Sequence, residues 1–211
     1  MVIPKTGFDV SFLRGFKKLI LSRVAAGERF IIIVGGGSTC RAYQEALSSV
    51  VKVDDTQLDW MGIHTTYYNA QFVRLMFEDH AYKDVVMDPT KKIKTRKPLI
   101  IGSGWKPGCS SDKDAVLAAD TYGSKKVINI SNVSHVFDKD PKKYKNTKPI
   151  KQLSWVEYLK KFGTKWKPGM SAPFGIPAAK LAEKEKIQAV IVDGGNKKAL
   201  ELAISGKDFE G

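Results

Sequence analysis

Phe30-Ile31-Ile32-Ile33-Val34 is an unbroken apolar run that empties straight into Gly35-Gly36-Gly37-Ser38-Thr39-Cys40-Arg41. The run reads as a buried strand, and the hydroxyl-rich stretch after the glycines reads as a helix start. A backbone without Cβ atoms can bend sharply and bring N–H groups up to an anion, while the helix opening near Ser38 adds the positive end of its dipole. Arg41, one turn into that helix, supplies a fixed charge. The layout describes a phosphate site, although a tight strand-to-helix turn with no ligand has the same sequence.

The scheme recurs. Pro98-Leu99-Ile100-Ile101 is a second buried-type strand, followed by the loop Gly102-Ser103-Gly104-Trp105-Lys106-Pro107-Gly108-Cys109-Ser110-Ser111-Asp112 and a helix through Ala118. A third strand, 126–130, runs into Ser131-Asn132-Val133-Ser134-His135-Val136-Phe137, and a fourth, 189–192, into Asp193-Gly194-Gly195-Asn196 and a last helix to Ala203. Continuous apolar strands alternating with helices predict an α/β fold with a largely parallel sheet. Ligands in such sheets gather beyond the carboxyl ends of the strands, so one shared anion-binding cleft is expected there.

Between these strands, Asp9 can cap a helix in which Phe12, Leu13, Phe16, Leu19, Ile20 and Val24 recur at helical spacing until Gly27 stops it. A second helix is expected over 38–48. A long third one begins near Asp59 and carries Met61, Ile63, Ala70, Phe72, Val73, Leu75 and Met76. Residues 79–97 are charged and irregular and read as an excursion or small hairpin with a short segment at Val85-Val86-Met87. A further helix is expected around 178–186.

The 211 residues are 43% hydrophobic and 27% charged, enough for one sizeable core or two lobes. No apolar run reaches the roughly 20 residues that span a bilayer, and the first residues lack the pattern of a secretion signal; a cytoplasmic location is expected. Cys40 and Cys109 are too few for a disulfide framework and are expected to be reduced thiols chosen for packing, a redox sensor being the other reading. His64, His80 and His135 form no ligand spacing. The net charge of +13 points to an anionic partner without naming its class. The lysine clusters at 91–97 and 139–151 have few interleaved aromatics and match no nucleic-acid motif, so a solvated basic face is expected and no specific nucleic acid.

Four spaced motifs then occur in one order: Gly35 to Arg41; Asp59-Trp60-Met61-Gly62-Ile63 with Asn69-Ala70; Gly104 to Asp112; and Ser131-Asn132-Val133 with Val136-Phe137 and Asp140-Pro141. In this the chain resembles the amino acid kinase family, and within it the UMP kinases of the bacterial and archaeal hexameric type. The resemblance covers nearly the whole chain. It implies a three-layer α/β/α sandwich around a largely parallel sheet, one domain over residues 1–211 with an acceptor half at 1–121 and a donor half at 122–211.

It also implies transfer of the γ-phosphate of ATP to UMP with Mg²⁺, giving UDP and ADP. By the family pattern Gly36 touches the UMP, Asp59 takes hydrogen bonds from its ribose, and Trp105, Lys106, Pro107, Gly108, Cys109, Ser110 and Ser111 wrap the uridylate. Gly37 and Arg41 face the phosphates near the donor, Asp112 corresponds to an acidic residue in the transfer region and is the catalytic candidate, and Ser131, Asn132, Phe137 and Asp140 match positions around the adenine nucleotide. The residues read alone leave plainer roles open: Asp59 as a helix cap, Asp140 as a turn starter before Pro141, Phe137 as core, Trp105 as a cover for its loop. The resemblance further implies a homo-oligomer, commonly a hexamer assembled from dimers through helices such as 9–26.

Departures from the family pattern set the alternatives. The family begins with a strand and a Gly-Gly-Ser-like loop that are expected to be missing from this chain. Tyr67 stands where arginine is frequent, Ser134 where aspartate is common, and Gly175-Ile176-Pro177 replaces a frequent Asp-Pro-Ile. A catalytically impaired nucleotide- or anion-binding member of the fold, or a kinase for another small phosphorylated acceptor, remain the alternative readings.

Overall fold

Helix α1 (Val10–Ala25) starts where the Asp9 carboxylate accepts the Phe12 N–H at 2.8 Å, satisfying one of the donors that a helix start leaves open. Its inner face buries Leu13, Phe16 and Ile20, each worth about 1.5–3 kcal/mol of transfer free energy. Gly27, at φ +89°, turns the chain toward β1 (Phe30–Ile33). The computed structural model describes residues 7–133, 135–139, 144, 146–165 and 172–209. The chain forms two units, Met1–Gly123 and Ser124–Gly211.

In the first unit β1 pairs in parallel with β2 (Leu99–Gly102), from Phe30 opposite Leu99 to Ile33 opposite Gly102. The Val34 N–H to Gly102 carbonyl bond (2.9 Å) carries the pairing one residue further. On the other side of β2, residues 81–86 lie alongside through parallel bridges at Ala81–Leu99 and Val86–Gly102. The expected hairpin over 79–97 is therefore corrected. After a 3₁₀ turn at Glu78–His80 the segment gives its N–H groups to Leu99 and Ile101 of β2 (2.8 and 2.9 Å), so its neighbour is a distant parallel strand.

Helices α2 (Gly37–Val50) and α3 (Asp55–Phe77) follow β1. The cap of α3 is Asp54, whose carboxylate accepts the Gln57 N–H while Gln57 returns the bond to the Asp54 N–H. This corrects the reading of Asp59 as a cap, because a reciprocal capping box satisfies two donors at once. The buried face of α3 holds Ile63, Ala70, Val73 and Phe77 together with the polar Thr65, Thr66 and Asn69. Phe72 and Leu75, expected on its apolar face, are instead exposed. Helix α4 (Ser111–Tyr122) begins under a Ser110 cap and ends at Gly123, whose left-handed φ of +74° closes it.

In the second unit β3 (Lys126–Ser131) pairs in parallel with β6 (Gln188–Asp193) over six registered positions, ending with Ser131 opposite Asp193. Between them come β4 (Val136–Phe137) and β5 (Pro149–Ile150), a short antiparallel pair. Helix α5 (Trp155–Phe162) follows, started by a Ser154–Glu157 capping box that the sequence reading passed over. Helix α6 (Ile176–Lys184) is tied to α5 by Tyr158, whose hydroxyl donates to the Phe174 carbonyl (2.6 Å) and accepts its N–H (2.8 Å). Helix α7 (Lys197–Ile204) closes the described chain under an Asn196 cap. Among the described residues no helix is long and apolar enough to cross a membrane.

Candidate functional site

The glycine run after β1 is held from below by one side chain. Asn69, on the buried face of α3, donates its amide to both the Gly35 and Gly36 carbonyls, at 3.0 and 3.1 Å. With those oxygens turned onto α3, the loop leads into the first turn of α2, where N–H groups have no acceptor within the helix. Gly36 ends the loop because a Cβ there would overlap the Cβ of Cys40. Gly37 follows at φ +62°, a backbone conformation that glycine adopts freely. Arg41 is exposed on the outer side of that turn.

Cys40 packs between Gly36 and Gly62, its sulfur 3.4 Å from where a Gly62 Cβ would stand. Burial pushes its thiol up from the usual range, with the Arg41 charge opposing. Both cysteines are free, and Cys40 has the packing role expected of it.

The second loop, after β2, is pinned at three backbone N–H groups. Gly104 donates to the Thr66 hydroxyl (2.8 Å), Trp105 to the Asp114 carboxyl (3.3 Å) and Gly108 to the Asp59 carboxylate (2.8 Å). The Thr66 hydroxyl in turn donates to the Ile63 carbonyl, so its geometry is fixed from both sides. Lys106, Pro107 and Gly108 make a turn closed by the Cys109 N–H to Lys106 carbonyl bond (3.1 Å), with Gly108 at φ +77°. The Lys106 ammonium stands 3.8 Å above the centre of the Trp105 ring, a cation–π arrangement. Ser110 caps α4, accepting the Lys113 N–H. Ser111 lies against Gly35, its hydroxyl 3.5 Å from where a Cβ would stand, which brings the two glycine loops into contact. Asp112 is half-buried in the first turn of α4.

The structure of the first unit thus gathers Gly36, Gly37, Asp59, Trp105 to Ser111 and Asp112 around the ends of β1 and β2. Of its tethers, Asn69 entered the sequence reading only as part of a motif, without the role of a tether, and Asp114 and Thr66 did not enter it. The signal was a set of polar residues at core spacing: Thr65, Thr66 and Asn69 among the apolar positions of α3, and Asp114 four residues before buried Ala118. Asp114 is fully buried, and that burial pushes its carboxyl up to about 7, with the Trp105 N–H pulling it down.

In the second unit Ser131 ends β3 beside the turn that follows β6, its carbonyl accepting the Gly194 N–H at 3.0 Å. Asn132 is exposed and Phe137 half-buried in β4, edge-on to His135. Asp140 lies outside the described residues.

A model of the amino acid kinase family matches residues 9–193. The chain belongs to the amino acid kinase family. Within it, the uridylate kinase of Pyrococcus abyssi is 32% identical over 193 residues, covering 89% of this chain and 84% of that protein. That of Thermococcus sibiricus is 30% identical over 190 residues, with coverages of 89% and 84%. The crystal structure of uridylate kinase from Archaeoglobus fulgidus matches 94% of this chain and 90% of its own with a TM-score of 0.80 at 25% identity. The UMP kinase structure from Bacillus anthracis, at 19% identity, a TM-score of 0.73 and coverages of 95% and 85%, agrees at the level of fold. The parallel strand pairs of both units fit this α/β family fold, as the sequence led us to expect.

Proposed function

We propose that this chain is a UMP kinase, moving the γ-phosphoryl group of ATP to UMP to give UDP and ADP. The observation that carries the reading is the hold of Asp59 on the loop 105–111 through Gly108, beside the uridylate kinase names of the relatives. One oxygen of Asp59 holds the Gly108 N–H, and the other is available to ribose hydroxyl donors, since a carboxylate accepts at both oxygens. One carboxylate thereby joins the loop 105–111 to the sugar it wraps.

Gly36 takes its place against the acceptor, while Gly37 and Arg41 face the phosphates. Phosphoryl transfer asks mostly for positioning and for charge neutralisation, with little covalent work by the protein. Backbone amides, Arg41 and Lys106 are suited to that, and Asp112 takes the role of orienting the transfer. Ser131, Asn132, Phe137 and Asp140 take the adenine nucleotide. Mg²⁺ is ordinarily held by one or two carboxylates plus substrate phosphates. Among the described residues no three His, Cys, Asp or Glu side chains converge on a metal position. When bound with ATP the ion neutralises phosphate charge.

The test is calorimetric titration with UMP of the native chain and of Asp59→Asn. The variant is expected to lose tenfold or more in UMP affinity with its circular dichroism unchanged. Equal affinity in a folded variant overturns the acceptor assignment.

The chain is also read as a homo-oligomer. Tyr68, Phe72 and Leu75, spaced along one side of α3, are exposed, and Phe8 packs its ring 5.1 Å from that of Phe72. An apolar stripe of this kind suits a partner surface. Leu75→Glu is expected to lower the mass measured by light scattering; an unchanged mass places any contact elsewhere.

A further inference from the structure

We propose that Asp114 is the positioning residue of the acceptor loop, its buried carboxyl fixing Trp105 and with it the course of residues 105–111; the proposal rests on the acceptor reading above. The carboxyl is fully buried. One of its oxygens accepts the Trp105 N–H, and the other has no hydrogen-bond partner. All the hydrogen bonding of this side chain is therefore directed to the loop.

A buried carboxyl with one long hydrogen bond is costly to keep. An apolar residue on the same inner face of α4, beside Val116, Ala118 and Ala119, would pack without that cost. The upward push on its carboxyl to about 7 is the same cost seen as proton affinity. Such local expense at a loop that carries chemistry is characteristic of functional sites.

The three tethers of the loop divide the work. Gly104 is held through Thr66, where a Cβ at Gly104 would come within 2.9 Å of the hydroxyl oxygen, so the start of the loop is fixed by packing. Gly108 is held at an exposed position by Asp59, which the acceptor itself also engages. Trp105 lies between them. Its N–H sets the direction in which the indole leaves the backbone, and Lys106 rests its ammonium on that ring. Asp114 thus decides where one aromatic face and one positive charge stand, without touching the acceptor. Its loss leaves the loop tethered at Gly104 and at the exposed Gly108 contact.

The experiment uses the full chain with Asp114→Asn and Asp114→Ala. Asparagine keeps an oxygen to accept the Trp105 N–H; alanine does not. Asp114→Val, close in size and without an acceptor, serves if the alanine void prevents folding. Hydrogen exchange is read first, without any substrate. Exchange at residues 105–109 is expected to accelerate at least tenfold in the alanine or valine variant and to stay near the native rate in asparagine, with the rest of α4 unchanged. Equal protection in all variants overturns the anchor.

Steady-state rates come second. The alanine or valine variant is expected to raise KM for UMP about tenfold while KM for ATP moves less than twofold, with asparagine restoring the native value. A variant that loses thermal stability but keeps its KM for UMP makes the residue structural and overturns the positioning role. A native chain that is never saturated by UMP refutes the acceptor reading, and with it the acceptor role of the anchor, while hydrogen exchange still decides the tether by itself.

Discussion

Asn69→Ala cuts both bonds that hold the glycine run to α3. Each is a neutral hydrogen bond of ordinary length, 3.0 and 3.1 Å, worth about 0.5–1.5 kcal/mol net, so the loss is about 1–3 kcal/mol. Against it stands the other amide atom: the Asn69 side-chain oxygen is buried without a partner, and its removal returns about 1 kcal/mol. The net destabilisation expected from urea unfolding is about 0–2 kcal/mol.

Asn69→Asp separates the two effects. It keeps the shape but sets an oxygen against two carbonyl oxygens, so it should destabilise more than alanine does. Both variants free the Gly35 and Gly36 carbonyls, and kcat/KM for UMP is expected to fall tenfold or more in a coupled assay for ADP. An alanine variant destabilised as expected but within twofold of native kcat/KM refutes the idea that this clamp shapes the phosphate loop. An aspartate variant milder than alanine refutes the amide orientation on which the reasoning depends.

Gly36→Ala places a methyl group against the Cys40 Cβ, an atom too close to its backbone to swing away, and should cost about 1–3 kcal/mol by overpacking. Combining it with Cys40→Gly should recover part of that loss in a double-mutant cycle, and strict additivity would sink the clash. The pH dependence of stability isolates Asp114. Its native carboxyl titrates near 7, against 3.8 for an ordinary aspartate, so the folded state holds a proton that the unfolded chain releases. The stabilisation from that proton is complete below about pH 4 and fades as pH rises to about 7. Asp114→Asn should therefore gain on the native chain across that window and be more stable by about 2–4 kcal/mol at pH 8; parallel stability curves from pH 4 to 8 would contradict it.

Much of the architecture could be read from local pattern. Asp9 and Gly27 bound α1 as expected, and the apolar runs at 30–33 and 99–102 are paired parallel strands, because a continuous β-branched run flanked by glycine leaves few alternatives. What escaped was set by tertiary contacts. Residues 81–86 look irregular since the N–H groups they give to β2 come from Tyr82 and Val86, four residues apart. Asp59 resembles a cap until Asp54 and Gln57, five and two residues earlier, are seen to close the capping box. Helical spacing put Phe72 and Leu75 inside, yet the buried stripe of α3 passes through Thr66, Asn69 and Val73. Its polar members are there to hold loops, which periodicity of hydrophobic residues cannot register. The same applies to Asp114. Acidic residues at the start of α4 suit its dipole, and the pair Asp112 and Asp114 in one turn concealed the one that is buried. The α5 start was legible as Ser154-Trp155-Val156-Glu157 and shows the value of reading capping boxes before periodicity.

The central claim is the acceptor and the reaction together, and the most direct measurement is product analysis of the purified chain with ATP, Mg²⁺ and UMP. UDP and ADP appearing one for one, dependent on UMP and slowed tenfold or more at low UMP in Asp59→Asn, is the predicted result. UMP bound without UDP formed would make this chain a nucleotide-binding member of its family, and ADP formed at the same rate with UMP omitted would contradict the acceptor altogether.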